Sequence, residues 1–285
     1  MTMRLPRDVA VPAILLALLA LGAIVIPALG GSDPRALGDV IAQRFLPPFT
    51  SDDRGILHLL GTDRFGRDIL ARTMLAGRIS LVIGVLGSVL AGAVGIAVGA
   101  VAAWRGGAVD RALMGLADAL LAIPRLILLL VCAALWRPGV MTVVAVLVAT
   151  GWMAVARLVR AEVLGLRARP FVEAATALGA SPSRTLWRHV LPNALGSAIV
   201  AITLGVGGAI LLESGLSFLG LGVQPPNPSW GNMIADGRDA IVIAPWVALA
   251  PGIALIATVV ASTLLGDALR DRLAGEATET VRDRA

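Results

Sequence analysis

The chain has 285 residues, of which 57% are hydrophobic and only 15% charged, and its mean hydropathy is +0.86. So little polar surface cannot cover a water-soluble globule, and lipid has to be the solvent for most of the chain. The net charge of +5 sits on arginines dispersed between apolar runs, without a basic stripe carrying interleaved aromatics, which argues against nucleic acid as a partner.

No lysine occurs anywhere, so a Walker A phosphate loop is excluded. Cys132 lies alone in an apolar run, and His58 and His189 are far apart. Neither a disulfide, a thiolate cluster nor a metal site is expected.

A membrane-crossing helix needs about 20 apolar residues. Gaps between charges run from Val9 to Ser32, Ile79 to Trp104, Val140 to Ala156, Val190 to Leu212 and Ala240 to Gly266. A sixth span, Ala112 to Trp136, forms only if Asp118 and Arg125 are admitted to it. The first run resembles a signal peptide, since Arg4 and Arg7 precede it and Ala28-Leu29-Gly30 looks like a cleavage site. Its length exceeds the usual signal core of about 7–15 residues and favours an uncleaved anchor.

Six spans with an inside N-terminus put Arg4, Arg7, Arg105, Arg111, Arg157, Arg160, Arg167, Arg169, Arg184, Arg188, Arg270, Arg272, Arg282 and Arg284 in inside loops. That excess predicts cytoplasmic N- and C-termini, with Gly31 to Arg78 outside. The chain divides into an anchor and outer segment (1–78), a core transmembrane domain (79–267) and a cytoplasmic tail (268–285).

Within the second span Ser88, Gly92, Gly95 and Gly99 form a stripe of small residues, and Ala201, Gly205 and Gly208 repeat the device in the fifth. Such stripes let a neighbouring helix approach closely. Pro124 and Pro251 interrupt the third and sixth spans and predict kinks there.

Between the fourth and fifth spans the sequence reads Glu173-Ala174-Ala175-Thr176-Ala177-Leu178-Gly179-Ala180-Ser181-Pro182, continuing to Leu191-Pro192-Asn193. Phe171 to Leu178 favour helix, and Gly179 suits a left-handed closing residue. Ser181 can cap a second helix with Pro182 at its first position. This second helix is expected to stop before Pro192. A short rigid helix pair on the arginine-rich side suits docking to a partner; an amphipathic segment lying on lipid headgroups, anchored by Trp187 and Arg188, accounts for the same residues.

The spacing Glu-Ala-Ala, three residues, Gly, then Leu-Pro twelve positions later resembles the signature loop of binding-protein-dependent ABC importer permeases. The family usually has isoleucine two positions before Leu-Pro, where this chain has His189. The stretches His58 to Asp68 and Glu213 to Gly222, followed by Gln224 to Gly231, are similar to the dipeptide/oligopeptide/nickel permeases, in particular the second of their two permease subunits. The likeness spans His58 to about Arg272.

The resemblance implies an all-α integral membrane fold of the type I importer kind, with about six transmembrane helices. It also implies that Glu173, Ala174, Ala175, Gly179, Leu191 and Pro192 couple the chain to an ATPase. The implied partners are a second permease subunit forming a heterodimer, two ATP-binding subunits that hold ATP and magnesium, and an extracytoplasmic substrate-binding protein. No cofactor and no catalysis belong to this chain itself. The implied place is the cell inner membrane, and the implied cargo a peptide or a related small solute such as nickel.

Physically, Asp63 and Asp68 read as a clamp pairing with neighbouring arginines in a polar turn ahead of an amphipathic helix. The Pro-rich segment after Phe218 reads as a gate, a contact for a docked protein, or a surface loop anchored at the interface by Trp230. Asp118, Arg125 and Glu213 fall within or at the ends of spans, where a charge needs a partner or a wet cavity. Arg125 is expected to snorkel toward the cytoplasm or pair there in preference to binding substrate directly, and Glu213 to meet a peptide's amino terminus, a metal cation or interfacial water. Pathway or gate residues are therefore expected at Glu213, Arg125, Ser217 and Trp230. The competing classes are an ion-driven secondary transporter or channel, which should show inverted repeats, and an intramembrane hydrolase, which needs a nucleophile facing a base.

Overall fold

The computed structural model describes residues 7–29 and 40–282. Residues 30–39, with the expected end of the first span at Ser32, lie outside the described residues, as do 1–6 and 283–285.

Helix α1 (Arg7–Leu29) packs against the second and last helices of the chain. After it, two short strands, β1 (Thr50–Ser51) and β2 (Leu57–His58), pair antiparallel with Thr50 opposite His58. In the polar turn that follows, the expected pairing with neighbouring arginines forms at Asp63, with Arg67 at 2.7 Å and Arg72 at 3.6 Å, and not at Asp68. Asp63 accepts from the backbone N–H groups of Phe65 (2.8 Å) and Arg67 (3.0 Å) and from Arg67 Nε (2.7 Å). Among the described residues Asp68 pairs with no arginine. It caps α2 by accepting from Ala71 N at 2.7 Å, and lies 2.8 Å from His58 Nδ1.

From that cap α2 runs unbroken over Ile69–Arg105, 37 residues, so the expected separate amphipathic helix is the first turns of the span. Its end is closed by Gly106 at φ +63°. Helix α3 (Gly107–Leu121) and α4 (Arg125–Ala134) are separated by Ala122-Ile123-Pro124 and bent by 92°. The interruption expected at Pro124 is thus a full break in the third span, larger than a kink. Pro124 cannot donate a backbone hydrogen bond and its ring clashes with the preceding turn, so the chain leaves the helix there.

Helix α5 (Val140–Arg167) extends past Ala156, which places Arg157 and Arg160 in a helix and not in a loop. There Arg160 grips Asp110 of α3 through Nε (2.5 Å) and Nη2 (2.6 Å), and Arg157 lies 3.4 Å from Asp118. The short helices α6 (Pro170–Ala177) and α7 (Pro182–Thr185) lead through a π-helical turn, Leu186–Val190, into α8 (Leu191–Phe218). After the Pro-rich segment come α9 (Trp230–Arg238) and α10 (Trp246–Arg282). The last span therefore begins at Trp246 and not at Ala240. α10 continues through residue 267 without a break, with Pro251 inside it.

The small-residue stripe of α2 acts within the chain. A Cβ on Gly95 would lie 2.7 Å from both the Trp152 carbonyl oxygen and Val155 Cβ of α5, and one on Gly92 would strike Ile202 of α8. Ser88 seals the α8 contact by donating to the Ile202 carbonyl at 2.7 Å. Close backbone approach of this kind holds helices together where lipid is as apolar as the partner. In α8 the device rests on Gly205, against Ser88, and Gly207, against α10, whereas Gly208 meets nothing within 4 Å.

Candidate functional site

Two constructions at opposite ends of the bundle hold most of the residues singled out from the sequence. The first is the loop between α5 and α8. Pro170 opens α6, and Glu173 sits exposed in its first turn, where a carboxylate suits the positive end of the helix. Ala174 is exposed and Ala175 half-buried. Gly179 takes φ +81°, and the N–H of Ala180 reaches back to the Ala175 carbonyl at 3.0 Å, closing the helix. Ser181 then caps α7 by accepting from Arg184 N at 3.3 Å.

The second helix does not stop before Pro192. Proline cannot donate to the carbonyl four residues back, and the wider π turn is how the chain carries the helix past it. Leu191 N bonds to the Leu186 carbonyl, and the Asn193 side chain donates to the His189 carbonyl at 2.5 Å. Leu191 is buried while Pro192 is exposed.

The root of this loop is apolar. Val172, Leu186, Val190 and Leu191 join Ala100, Val159 and Val163 in one buried cluster. Arg167 stacks on Trp104 at 5.3 Å and donates to the Ala103 and Trp104 carbonyls, both at 3.3 Å, fastening the loop to the last turn of α2. The tip is the reverse, with Leu178 89% and Trp187 63% exposed. From the sequence Arg167 reads as a topology charge and Trp104 as a span end, and neither they nor Val172 read as parts of this loop's root. Their signal was available as an apolar residue and a cation flanking the first short helix.

The second construction surrounds Glu213, near the end of α8. Its side chain is 0% exposed, so in this structure it reaches neither interfacial water nor an open passage. It accepts from Ser80 (2.8 Å), Ser217 (2.6 Å) and Ser214 (3.4 Å). Ser217 Oγ in turn accepts from Val223 N at 3.0 Å, and Ser80 Oγ from Trp230 N at 3.5 Å. Both hydroxyls thus have their acceptor side filled by backbone N–H groups and their protons aimed at the carboxylate.

Trp230 is not an interfacial anchor. It is 2% exposed, lies over Gly77 of α2 and donates Nε1–H to the Thr73 carbonyl at 3.0 Å. Gly231 lets α9 dock, because a Cβ there would collide with the Ser214 carbonyl. Ser80 and Thr73, more than 130 residues away in sequence from the groups they meet, carried no local signal. Ser217, one turn after Glu213, did.

Arg125 stands apart from both constructions, at the break between α3 and α4. Among the described residues no group of three histidine, cysteine or acidic side chains is placed to hold a metal ion.

Residues 95–275 match the family described as "Binding-protein-dependent transport system inner membrane component". The chain belongs to this family. As a permease of that kind it is a multi-pass inner-membrane transport component and not an enzyme, which sets aside the hydrolase and ion-driven readings, and it works with ATP-binding and substrate-binding partners. Among its relatives is a putative peptide transport system permease protein of Brucella suis biovar 1 (strain 1330), 39% identical, with 94% of this chain and 87% of that protein covered. The oligopeptide transport system permease protein OppC of Bacillus subtilis (strain 168) is also 39% identical, over 76% of this chain and 71% of its own length. The permease fold is shared with an inward-facing structure of the MetNI methionine ABC transporter, at a TM-score of 0.57 and 19% identity, covering 70% of this chain and 95% of that one.

Proposed function

We propose that this permease forms half of the translocation pathway of an ATP-driven importer for peptides or a related small solute such as nickel. The other half is a second permease subunit. The loop from α6 to the π turn docks on one of two ATP-binding subunits, which hold the ATP and magnesium, and an extracytoplasmic binding protein delivers the cargo. The N- and C-termini and this loop face the cytoplasm, while the β1–β2 hairpin and α9 face outside.

The observation that carries this reading is the contrast within the loop. Its tip leaves Leu178 and Trp187 exposed, yet its root is packed into the same cluster as α2, α5 and α8. A push on the tip is therefore borne by the helices that would line a pathway. The names of the peptide-transport relatives supply the cargo class.

Two experiments test the reading together. The tagged permease, extracted mildly from its own membrane, should co-purify with an ATP-binding subunit. In a background with Cys132 replaced, a cysteine at Ser183 should resist an impermeant thiol reagent in whole cells and react after permeabilisation. Labelling of Ser183→Cys in intact cells would invert the topology.

A further inference from the structure

A cavity of about 320 Å³ lies among α2, α4, α5 and α8, distinct from both constructions described above. Gly87, Ala91, Gly92, Gly151 and Gly205 contribute to its wall. Gly205 stands near the middle of α8, about 20 Å of helix from either end at 1.5 Å per residue. The cavity is therefore at mid-depth of the bundle. One charged side chain reaches it. Arg125 Nη2 is 3.3 Å from the place a Cβ on Gly151 would occupy, and the residue is exposed beside the cavity, so the site is open on one side.

The other arginines that enter helical spans near it are matched, Arg157 by Asp118 and Arg160 by Asp110. Among the described residues no carboxylate lies within ion-pair distance of Arg125, and no hydrogen bond is made by it. Snorkelling does not relieve the charge, because the guanidinium lies against Gly151 and not at either helix end. Ser88, the polar side chain nearby, already donates to the Ile202 carbonyl. A cation at this depth that lacks a partner and opens onto a cavity marks a site for an anion.

The shape narrows the anion. A guanidinium presents two parallel N–H donors matched to a carboxylate. The volume is at the lower end of the range for small-ligand pockets, about 300–1,000 Å³, room for the end of a short chain but not for a large solute. Beside Arg125 the walls are glycine, alanine and aliphatic side chains such as Leu147 and Ile202, and the Ser88 hydroxyl is spent on the Ile202 carbonyl, so little in them distinguishes one peptide side chain from another. We infer that this cavity is a station on the translocation pathway in which Arg125 receives the C-terminal carboxylate of a peptide. The inference rests on the peptide-importer reading and adds the group that is recognised inside the membrane.

The test uses the complete transporter in proteoliposomes, with both permeases, the ATP-binding subunits and the binding protein, and compares labelled trialanine with trialanine amide. Each uptake is expressed relative to wild-type uptake of the same form, which cancels the binding protein's own preference. Arg125→Gln should lower trialanine uptake about tenfold or more, and Arg125→Lys by less, because the ammonium keeps the charge and loses the fork. Amide uptake should stay within about twofold of wild type in both variants.

If the amide enters no wild-type vesicle, retention of labelled trialanine by the complex locked with a non-hydrolysable nucleotide decides instead, with loss expected in Arg125→Gln. An equal fall for acid and amide, or unchanged uptake or retention of trialanine, would overturn the site and leave the importer reading standing. Wild-type vesicles that import no peptide at all would overturn both.

Discussion

At the end of the bundle where α8 meets α9, Glu213 and Trp230 are 0% and 2% exposed, and their polar atoms are all bonded within the chain. At the opposite end, in the loop from α6 to the π turn, Leu178 and Trp187 are 89% and 63% exposed, and Glu173 makes no side-chain bond among the described residues. Both ends carry residues from the family's characteristic stretches, yet they are put to different use. The first is a closed unit in which α2, α8 and α9 are tied around a carboxylate. The second is a projection whose root is packed among the helices and whose tip is left exposed. A residue shared with a family therefore carries no fixed meaning until its burial is known.

Substitutions can break this contrast. The largest effect is expected at Trp230. Trp230→Ala removes a fully enclosed ring and the bond to Thr73, and should cost about 3–5 kcal/mol, read as a lower thermal-unfolding midpoint of the purified complex. Glu213→Ala follows. It leaves the Ser80 and Ser217 hydroxyls without their acceptor, at about 1–3 kcal/mol for each buried group left unsatisfied. Hydrogen exchange should rise first in the segment 219–231, which those hydroxyls hold. An unchanged midpoint in both variants would mean that the unit around Glu213 is not a closed one.

The smallest stability change is expected at the other end. Leu178→Ala removes an exposed side chain, and its unfolding midpoint should move by no more than about 0.5 kcal/mol equivalent. The amount of ATP-binding subunit that co-purifies should nevertheless fall. A large loss of stability with unchanged co-purification would place Leu178 among the self-contained parts of the fold.

The long apolar spans were legible because a run of about 20 apolar residues matches the thickness of a bilayer and is hard to bury in a small water-soluble fold. Their limits were less so. Splitting the chain at charges cut α2 at Ile79, since Arg72 and Arg78 precede it, whereas Arg72 lies within the helix, 3.6 Å from Asp63. The same rule cut α5 at Ala156, before two arginines that α3 carboxylates accommodate. Pro124 announced an interruption but not a 92° bend, because a proline limits the turn it occupies and not the path that follows. Pro192 pointed to a helix end, and the π turn allowed the helix to continue.

In the loop, Gly179 and Ser181 were legible to the residue, since a left-handed closure and an N-cap are local events. Trp230 and Glu213 were not placed. Their partners on α2 lie far off in sequence, and local pattern carries no information about which helix a serine or a backbone carbonyl will face.

The central claim is that the α6–α7 loop is a rigid lever between the membrane helices and an ATP-binding subunit. Its most direct test is ATP-dependent uptake in the reconstituted complex with Gly179→Val and Glu173→Lys. Valine opposes φ +81° at residue 179, at a local cost of about 1–2 kcal/mol, and lysine reverses the charge at the start of α6. Both variants should reach the membrane at near wild-type abundance and lose uptake together with binding-protein-stimulated ATP hydrolysis. Normal uptake by both variants in an intact complex would contradict the account and leave the loop a surface helix.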